Sequence, residues 1–529
     1  MRSNRRAAVV VFTLGLVVGL AFQGSRGLYE TTEGRYAEAG REMLETGDWV
    51  VPRLDYLPHW TKPPATYWTI AAGIAALGPN AWGVRLVNGL MLPLGGLLVL
   101  LLGSTMLGPR VGALAGIIYV TSLFPATASA TVSTDMLLAL AEALTALCYW
   151  AAIRAPDTQR ERKWVAGMWT ASGLAFLIKG PPGLLTLLVI LVHRGVAWRR
   201  GWKTVRLTSA AGFVGFALVG LGWYAYVVAT TPGLLRYFLA DEVVARVATD
   251  RFRRNPQWYK PPLIYGPPLL LGLGIWMVPV LGSWRKRSRR TEGPRRREVW
   301  RRWLATSEGW FLAAWLLIPL VILTLSRSRL PLYVLPFFPA LVLAAAGILA
   351  SRGNRPESAQ ASPLRRAAPW ALAGAVLLVG LKAAAAHVAS PKDMRRLYET
   401  VAPLLAPEDR IVAVDEPRLY GLQFYLGGRM ERARLELGRT RQDSEPPRFT
   451  TEGGAAPELE AWLRGAWKEV GGSRPGSAQG SPRGNLLLLT RAPDKVMPVA
   501  CPPPRRCSTH VLAGGFSLIR LRREPAPEG

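Results

Sequence analysis

The sequence predicts a polytopic α-helical membrane protein with amphipathic helices on its outer face and a small α/β soluble domain at its C-terminus. Apolar windows of about 20 residues, each long enough to cross ~30 Å of hydrocarbon, recur from residue 7 to about residue 385. Lys and Arg gather in the connections that would share one side of the membrane. From residue 386 to 529 the apolar runs stop, and short strand-like and helix-like patterns alternate.

The candidate spans are 7–23, 86–106, 111–129, 135–153, 164–178, 182–193, 208–230, 263–283, 309–325, 332–350 and 368–385. Some are short, so the expected total is about 11–13 helices at the ~20 residues a crossing needs. The run 63–78 is shorter and Pro-led, which reads as a re-entrant or interfacial segment. The first span has a long apolar stretch and no clear small-x-small cleavage site after it, so it reads as an uncleaved anchor.

The formal net charge of +30 invites a nucleic-acid reading, but its distribution argues against one. The basic clusters are Arg2/Arg5/Arg6, Arg154/Arg160/Arg162/Lys163, Arg199/Arg200/Lys203/Arg206, the block from Arg285 to Arg302, and Arg352/Arg355/Arg365/Arg366. With the spans above, all of them lie on one side, which puts the N-terminus in the cytoplasm and the C-terminus outside. The Arg285–Arg302 block suits anionic lipid headgroups. Cys148 lies within a span, and Cys501 and Cys507 sit in the external tail, where they form either a disulfide or two free thiols.

The membrane domain is expected to cover 1–385, with long outer segments at 24–85 and 231–262, and the extracytoplasmic α/β domain 386–529. In that tail, helices are predicted at 394–405 and 457–468, strands at 410–416, 486–491 and 516–523, and a flexible loop at 471–483.

The first outer segment carries the densest chemistry. Thr32 reads as a helix N-cap and Gly47 as the residue past the helix end. Tyr36, Gly40, Met43 and Leu44 form an apolar stripe, with Glu38, Arg41, Glu42 and Glu45 expected to face away. Glu33 falls with the stripe, three residues before Tyr36, so it is a candidate catalytic carboxylate; a first-turn acid favoured by the helix dipole is the plainer alternative. Glu30 is the competing candidate. Lys62 is framed by two prolines, which suits a fixed cation as well as a snorkelling interfacial lysine.

Asp135 opens a span, either as a capping residue or as a group orienting an acceptor. Lys179, beside Gly180-Pro181-Pro182, either complements a helix dipole or holds a phosphate. Glu242 and Arg246 stand at i,i+4 spacing and read first as a pair. Tyr333 begins a span among Pro331, Pro336 and Pro339. Arg35, Arg53, Lys62, Arg246, Arg251, Arg253 and Arg254 would make an outward basic rim suited to a phosphate-bearing lipid. No P-loop, GxGxxG, GxSxG or zinc-type Cys/His spacing appears, and four histidines leave little room for a metal site.

The order of these segments carries a resemblance. A first span is followed by E-G-R-Y-A-E-x-x-R-E-M-L with G-D-W-V-V-P, then K-P-P-x-x-Y-W, T-D-M-L at a span mouth, K-G-P-P-G-L, and S-R-x-P-x-Y-x-L-P-x-x-P. Over roughly residues 1–350 the chain resembles the membrane glycosyltransferases of the GT-C superfamily, family 39, which holds the aminoarabinose transferases of lipid A and the protein O-mannosyltransferases.

The resemblance implies a GT-C fold, a sugar donor on a polyprenyl phosphate, and transfer with inversion at the outer face of a bacterial-type inner membrane. It implies neither a nucleotide nor a required cofactor, and it leaves a divalent cation open. The acceptor would be a lipid, glycan or protein and the chain a monomer. The family's Asp falls on Thr32, its Glu on Glu33, its Arg on Arg35 and the Lys of its K-P motif on Lys62.

Threonine cannot serve as a carboxylate base, so Glu33 or Glu30 takes that role or the usual chemistry is altered. Thr61 stands where some members carry an acid. Arg35, Lys62, Lys179 and Arg246 would hold the donor phosphate, Glu33, Glu30 or Asp135 would take the acceptor's proton, and Tyr36, Tyr67, Glu242 and Tyr333 would line the substrate cavity. A lipid-linked sugar flippase and a non-catalytic membrane scaffold are the rival readings.

Overall fold

The computed structural model describes residues 2–245, 255–288, 301–350, 363–416, 419–435, 457–471, 485–502 and 507–521. Arg246, Arg251, Arg253, Arg254, Arg352, Arg355, most of the Arg285–Arg302 block and the 472–483 stretch lie outside the described residues.

Helix α1 (Arg2–Leu20) is followed by α2 (Thr32–Thr46), a hairpin of β1 (Arg53–Leu54) and β2 (Leu57–Pro58), and α3 (Ala65–Leu77). Then come α4 (Ala81–Leu107), α5 (Pro109–Val120), α6 (Leu123–Ser129), α7 (Thr134–Ile153), α8 (Thr158–Lys179) and α9 (Leu185–Arg199). The helical series continues with α10 (Ala210–Thr230), α11 (Lys260–Leu271), α12 (Met277–Ser288), α13 (Ser307–Leu325), α14 (Phe338–Ala350) and α15 (Pro363–His387).

Among the described residues, seven helices are long and apolar enough to cross a membrane, or nine if each of two bent pairs is one span. The pairs break by 53° between α5 and α6 and by 77° after α11. The hydropathy windows each fall on one helix or one bent pair, with 7–23 and 164–178 on α1 and α8, which are additional to those nine. Helix α3 has 13 residues, too few at ~1.5 Å rise per residue to cross ~30 Å of hydrocarbon.

Local sequence sets the helix ends. Ser133, Asp157, Ser209 and Thr306 each cap a helix by accepting a backbone N–H with the side chain. Gly180, at φ 68°, ends α8 and hands the chain to a 3-10 turn that starts at Pro181. Small residues let α8 and α10 approach closely: a Cβ built on Gly220 would lie 2.9 Å from the Cα of Gly173.

The chain divides into two compact units. One holds Met1–Gln23, Lys62–Thr69 and Arg85–His387, and the other Gly24–Thr61, Ile70–Val84 and Val388–Gly529. The first is the membrane unit, whose core includes the fully buried Trp150, Trp276, Trp315, Phe311, Phe337 and Phe338.

The second unit joins the first loop to the tail. The tail runs α16 (Met394–Val401), β3 (Arg410–Val414), α17 (Tyr420–Tyr425), β4 (Met430–Ala433), α18 (Leu459–Gly471), β5 (Leu486–Thr490), α19 (Pro493–Ala500), β6 (Cys507–Val511) and β7 (Ser517–Leu521). The sheet order is β4-β3-β5-β7-β6, with β3 parallel to β4 and β5, and β7 antiparallel to β5 and β6. Its side chains alternate between two apolar layers. Ile411, Ala413, Leu487 and Leu489 meet α16, whereas Val412, Val414, Leu486 and Leu488 meet α18. Cys501 and Cys507 are disulfide-bonded, with Cα atoms 6.3 Å apart.

Two expectations for α2 are corrected. The N-cap position is Thr31 rather than Thr32, and its side chain makes no capping hydrogen bond. Glu38, Arg41 and Glu42 do not face away: all three are buried, and only Glu45 of that set stays exposed. The polar side of α2 is covered because Arg41 pairs with Glu38, donating Nε to Oε2 at 2.9 Å and Nη2 to Oε1 at 2.8 Å. The loop and tail are stitched by Asp55, which accepts from Arg432 at 2.8 and 3.1 Å, and by Tyr425, whose hydroxyl accepts from the Leu28 N–H at 3.1 Å.

Candidate active site

In the membrane unit, Ser133 caps α7 and its Oγ accepts the Asp135 N–H at 3.2 Å. This sets Asp135 in the first turn of α7. Lys179 is the last residue of α8, which packs along α7. Its ammonium is ion-paired with Asp135 Oδ1 and lies 4.3 Å from the centre of the Tyr333 ring. Tyr333 belongs to the 3-10 segment Pro331–Phe337, which also packs on α7. Three separate pieces of sequence thus bring a carboxylate, an ammonium and an aromatic face together, which strengthens a cation's placement.

A second pair lies in the same unit. Lys62 Nζ stands 3.5 Å from Glu242 Oε2, and Tyr237 donates its hydroxyl to Glu242 Oε1 at 3.2 Å. Glu242 sits on the π-helical segment Tyr237–Ala245. Its i,i+4 neighbour Arg246 is outside the described residues. Tyr67, near the start of α3, is buried.

The loop-and-tail unit holds the other carboxylates. Glu33 is buried and gripped by a fork: Arg26 donates Nη1 to Oε2 at 2.6 Å and Nη2 to Oε1 at 3.0 Å. The Tyr29 N–H adds a bond to Oε2 at 3.1 Å, and the Arg26 guanidinium lies 4.2 Å from the Tyr29 ring centre. Glu30 Oε1 accepts from the Gly421 N–H, while its Oε2 is buried with no hydrogen-bond partner among the described residues. Burial pushes the Glu30 carboxyl up to about 7, against the pull of the Gly421 N–H and of the Arg432 and Arg35 charges. Arg35 is half-buried and Tyr36 fully buried on α2, and Thr32, at the family's Asp position, is exposed. Thr61 shares a 2.6 Å hydrogen bond with the buried His59.

Glu42 is the other perturbed acid. Burial and the nearby Glu38 charge push it up to about 8, while the Tyr56 N–H at 2.9 Å binds its Oε2. Sequence reasoning missed Glu42 because charges opposite an apolar stripe read as solvated, and it missed Arg26, which precedes the helix. The signal for Arg26 was its seven-residue distance from Glu33, which crosses the turn before α2. Among the described residues, no group of three or more His, Cys, Asp or Glu is placed to hold a metal ion.

Comparison with known proteins bears on the family and the fold. Residues 8–238 match the model of the family described as dolichyl-phosphate-mannose-protein mannosyltransferase. The undecaprenyl phosphate-alpha-4-amino-4-deoxy-L-arabinose arabinosyl transferase of Pseudomonas savastanoi pv. phaseolicola is 30% identical over 367 residues, 67% of this chain and 63% of its own. Arabinosyl transferase 2 of the same kind, from Pseudomonas fluorescens (strain Pf0-1), is 30% identical over 384 residues, 72% of this chain and 66% of its own. The chain therefore spans a little under two thirds of these relatives' lengths. The crystal structure of ArnT from Cupriavidus metallidurans bound to undecaprenyl phosphate superposes with a TM-score of 0.68 at 21% identity, covering 97% of both chains. The chain is a multi-pass membrane protein with the fold of the ArnT crystal structure, and its residues 8–238 are similar to the dolichyl-phosphate-mannose-protein mannosyltransferase family.

Proposed function

We propose that the chain is a polyprenyl-phosphate-sugar-dependent glycosyltransferase of the inner membrane, with its N-terminus in the cytoplasm and its C-terminal domain outside. It moves a sugar to a lipid, glycan or protein acceptor at the outer face, by a displacement that inverts the anomeric centre. The relatives' names support undecaprenyl phosphate as the carrier and 4-amino-4-deoxy-L-arabinose as the first sugar to test.

The observation that carries this reading is the Asp135–Lys179–Tyr333 cluster in the membrane unit. A polyprenyl phosphate leaves as an anion, so the enzyme's main task is to hold charge that develops on phosphate oxygens. A lysine already fixed by a carboxylate and a ring needs little reorganisation to accept that charge. Lys62, held by Glu242, offers a second such cation. Where the acceptor is a hydroxyl, its proton must go to a base as the C–O bond forms. Glu30 suits that role best, because its carboxyl titrates at about 7 and keeps one oxygen without a hydrogen-bond partner among the described residues. Glu33 is already saturated by Arg26 and Tyr29, which suits a structural carboxylate.

The test is release of undecaprenyl phosphate from its radiolabelled aminoarabinose conjugate, with lipid A as acceptor, by the purified full chain. Lys179→Ala is expected to lose at least a hundredfold in rate. Wild-type protein that releases no carrier from any polyprenyl-phosphate sugar overturns the reading and favours a transporter or scaffold.

A further inference from the structure

Asp135 is aimed by the segment that precedes it, and that segment is pinned from another helix. The last carbonyls of a helix have no partner within it. One side chain binds the last two carbonyls of α6, Ala128 and Ser129, together with that of Thr131 in the turn after it. The Asn88 amide nitrogen on α4 donates to Ala128 O at 3.1 Å, Ser129 O at 3.3 Å and Thr131 O at 2.7 Å. Three acceptors around one amide end fix its orientation, since only the NH2 group can serve them.

A second side chain reinforces the pin. Gln23 donates Nε2 to Ser129 O at 2.9 Å, and Arg85, one turn before Asn88 on α4, donates Nη1 to Gln23 O at 2.8 Å. Thr131 stands two residues before Ser133, the residue whose hydroxyl caps α7 and binds the Asp135 N–H. All of these groups belong to the membrane unit.

We propose that Asn88 is a positioning residue for the donor-phosphate site: by fixing residues 128–131 it sets the start of α7 and holds Asp135 against Lys179. This inference rests on the reading that Lys179 receives the carrier phosphate. A helix start that shifts by about 1 Å moves a charge partner enough to change binding or rate by one to two orders of magnitude.

Binding of undecaprenyl phosphate to the purified full chain tests it, with melting temperature followed in parallel. Asn88→Ala is expected to weaken binding about tenfold while the protein stays folded, and Asn88→Gln, which keeps the NH2 donor, to recover most of the loss. Should Asn88→Ala fail to fold, Asn88→Ser, which keeps one donor, is expected to fall between the two. In the Lys179→Ala background, Asn88→Ala is expected to add nothing, because its effect passes through that lysine. Wild-type affinity in a folded Asn88→Ala protein, or a loss that adds in full to that of Lys179→Ala, overturns the inference. Unchanged binding in Lys179→Ala alone, or none in the wild type, overturns the phosphate reading and the inference with it.

Discussion

Lys179 closes α8 and is ion-paired with Asp135 in the first turn of α7, so the two helix ends are locked by opposite charges in a buried setting. Each end also receives the charge its helix dipole favours, the anion at an N-terminus and the cation at a C-terminus. Both dipoles therefore favour the pair, and in the proposed function its cation is the one that meets the carrier phosphate.

Removing one partner of this lock takes the ion pair away from the other's buried charge. Asp135→Asn and Lys179→Met are each expected to cost about 3 kcal/mol of stability, and the double variant less than the two singles combined. Thermal melts of the four proteins check this.

The proposed role of Glu30 as general base predicts a pH dependence. A general base must be ionised, and the Glu30 carboxyl titrates at about 7, so transfer is expected to climb from pH 6 to 8 in the wild type. Glu30→Gln is expected to lose that rise along with most of the rate, and a rate profile over that range settles it.

Stability should move the opposite way. Glu42 titrates at about 8 in the folded chain against an ordinary value of 4.5. The folded state holds the proton longer, so the stability this group contributes is fully present below about pH 4.5 and is lost as pH rises to about 8. Glu42→Gln carries no charge to bury, and the variant is expected to gain about 1–3 kcal/mol over the wild type at pH 9 and little at pH 4. Denaturant melts at both pH values measure the difference.

The Arg26–Glu33 fork is expected to be structural. Arg26→Ala takes the fork from the buried Glu33 and is expected to cost about 3 kcal/mol, while Arg26→Lys keeps the charge, loses the fork and falls between. Equal melting of Arg26→Ala and wild type would remove the fork's structural role.

The membrane helices were legible because each needs its own long apolar window, and every window lies on a helix or a bent pair. The strands β3, β5 and β7 were legible through their apolar runs. Strands β4 and β6 were not: Met430–Ala433 mixes charge with apolar residues, and Cys507–Val511 is a largely exposed edge with no buried face to impose alternation. The candidate site was legible in residue type but not in partnership. Asp135 and Lys179 stand 44 residues apart, and no local period connects them. Glu38 and Glu42 were misread because amphipathic patterning assumes water on the polar side, whereas this helix is packed on both.

The stitching of the first loop to the tail also sets a schedule. Glu30 meets the Gly421 N–H across 391 residues, and Asp55 meets Arg432 across 377. At ~5–20 residues per second, a ribosome needs roughly 20–80 s to make that intervening chain. For that interval α2 lacks α17, the tail helix that packs on it, and the hairpin holds Asp55 without its arginine. The first loop must wait for a segment made 391 residues later, so a ribosome stalled before residue 421 would leave a membrane bundle whose first loop cannot close.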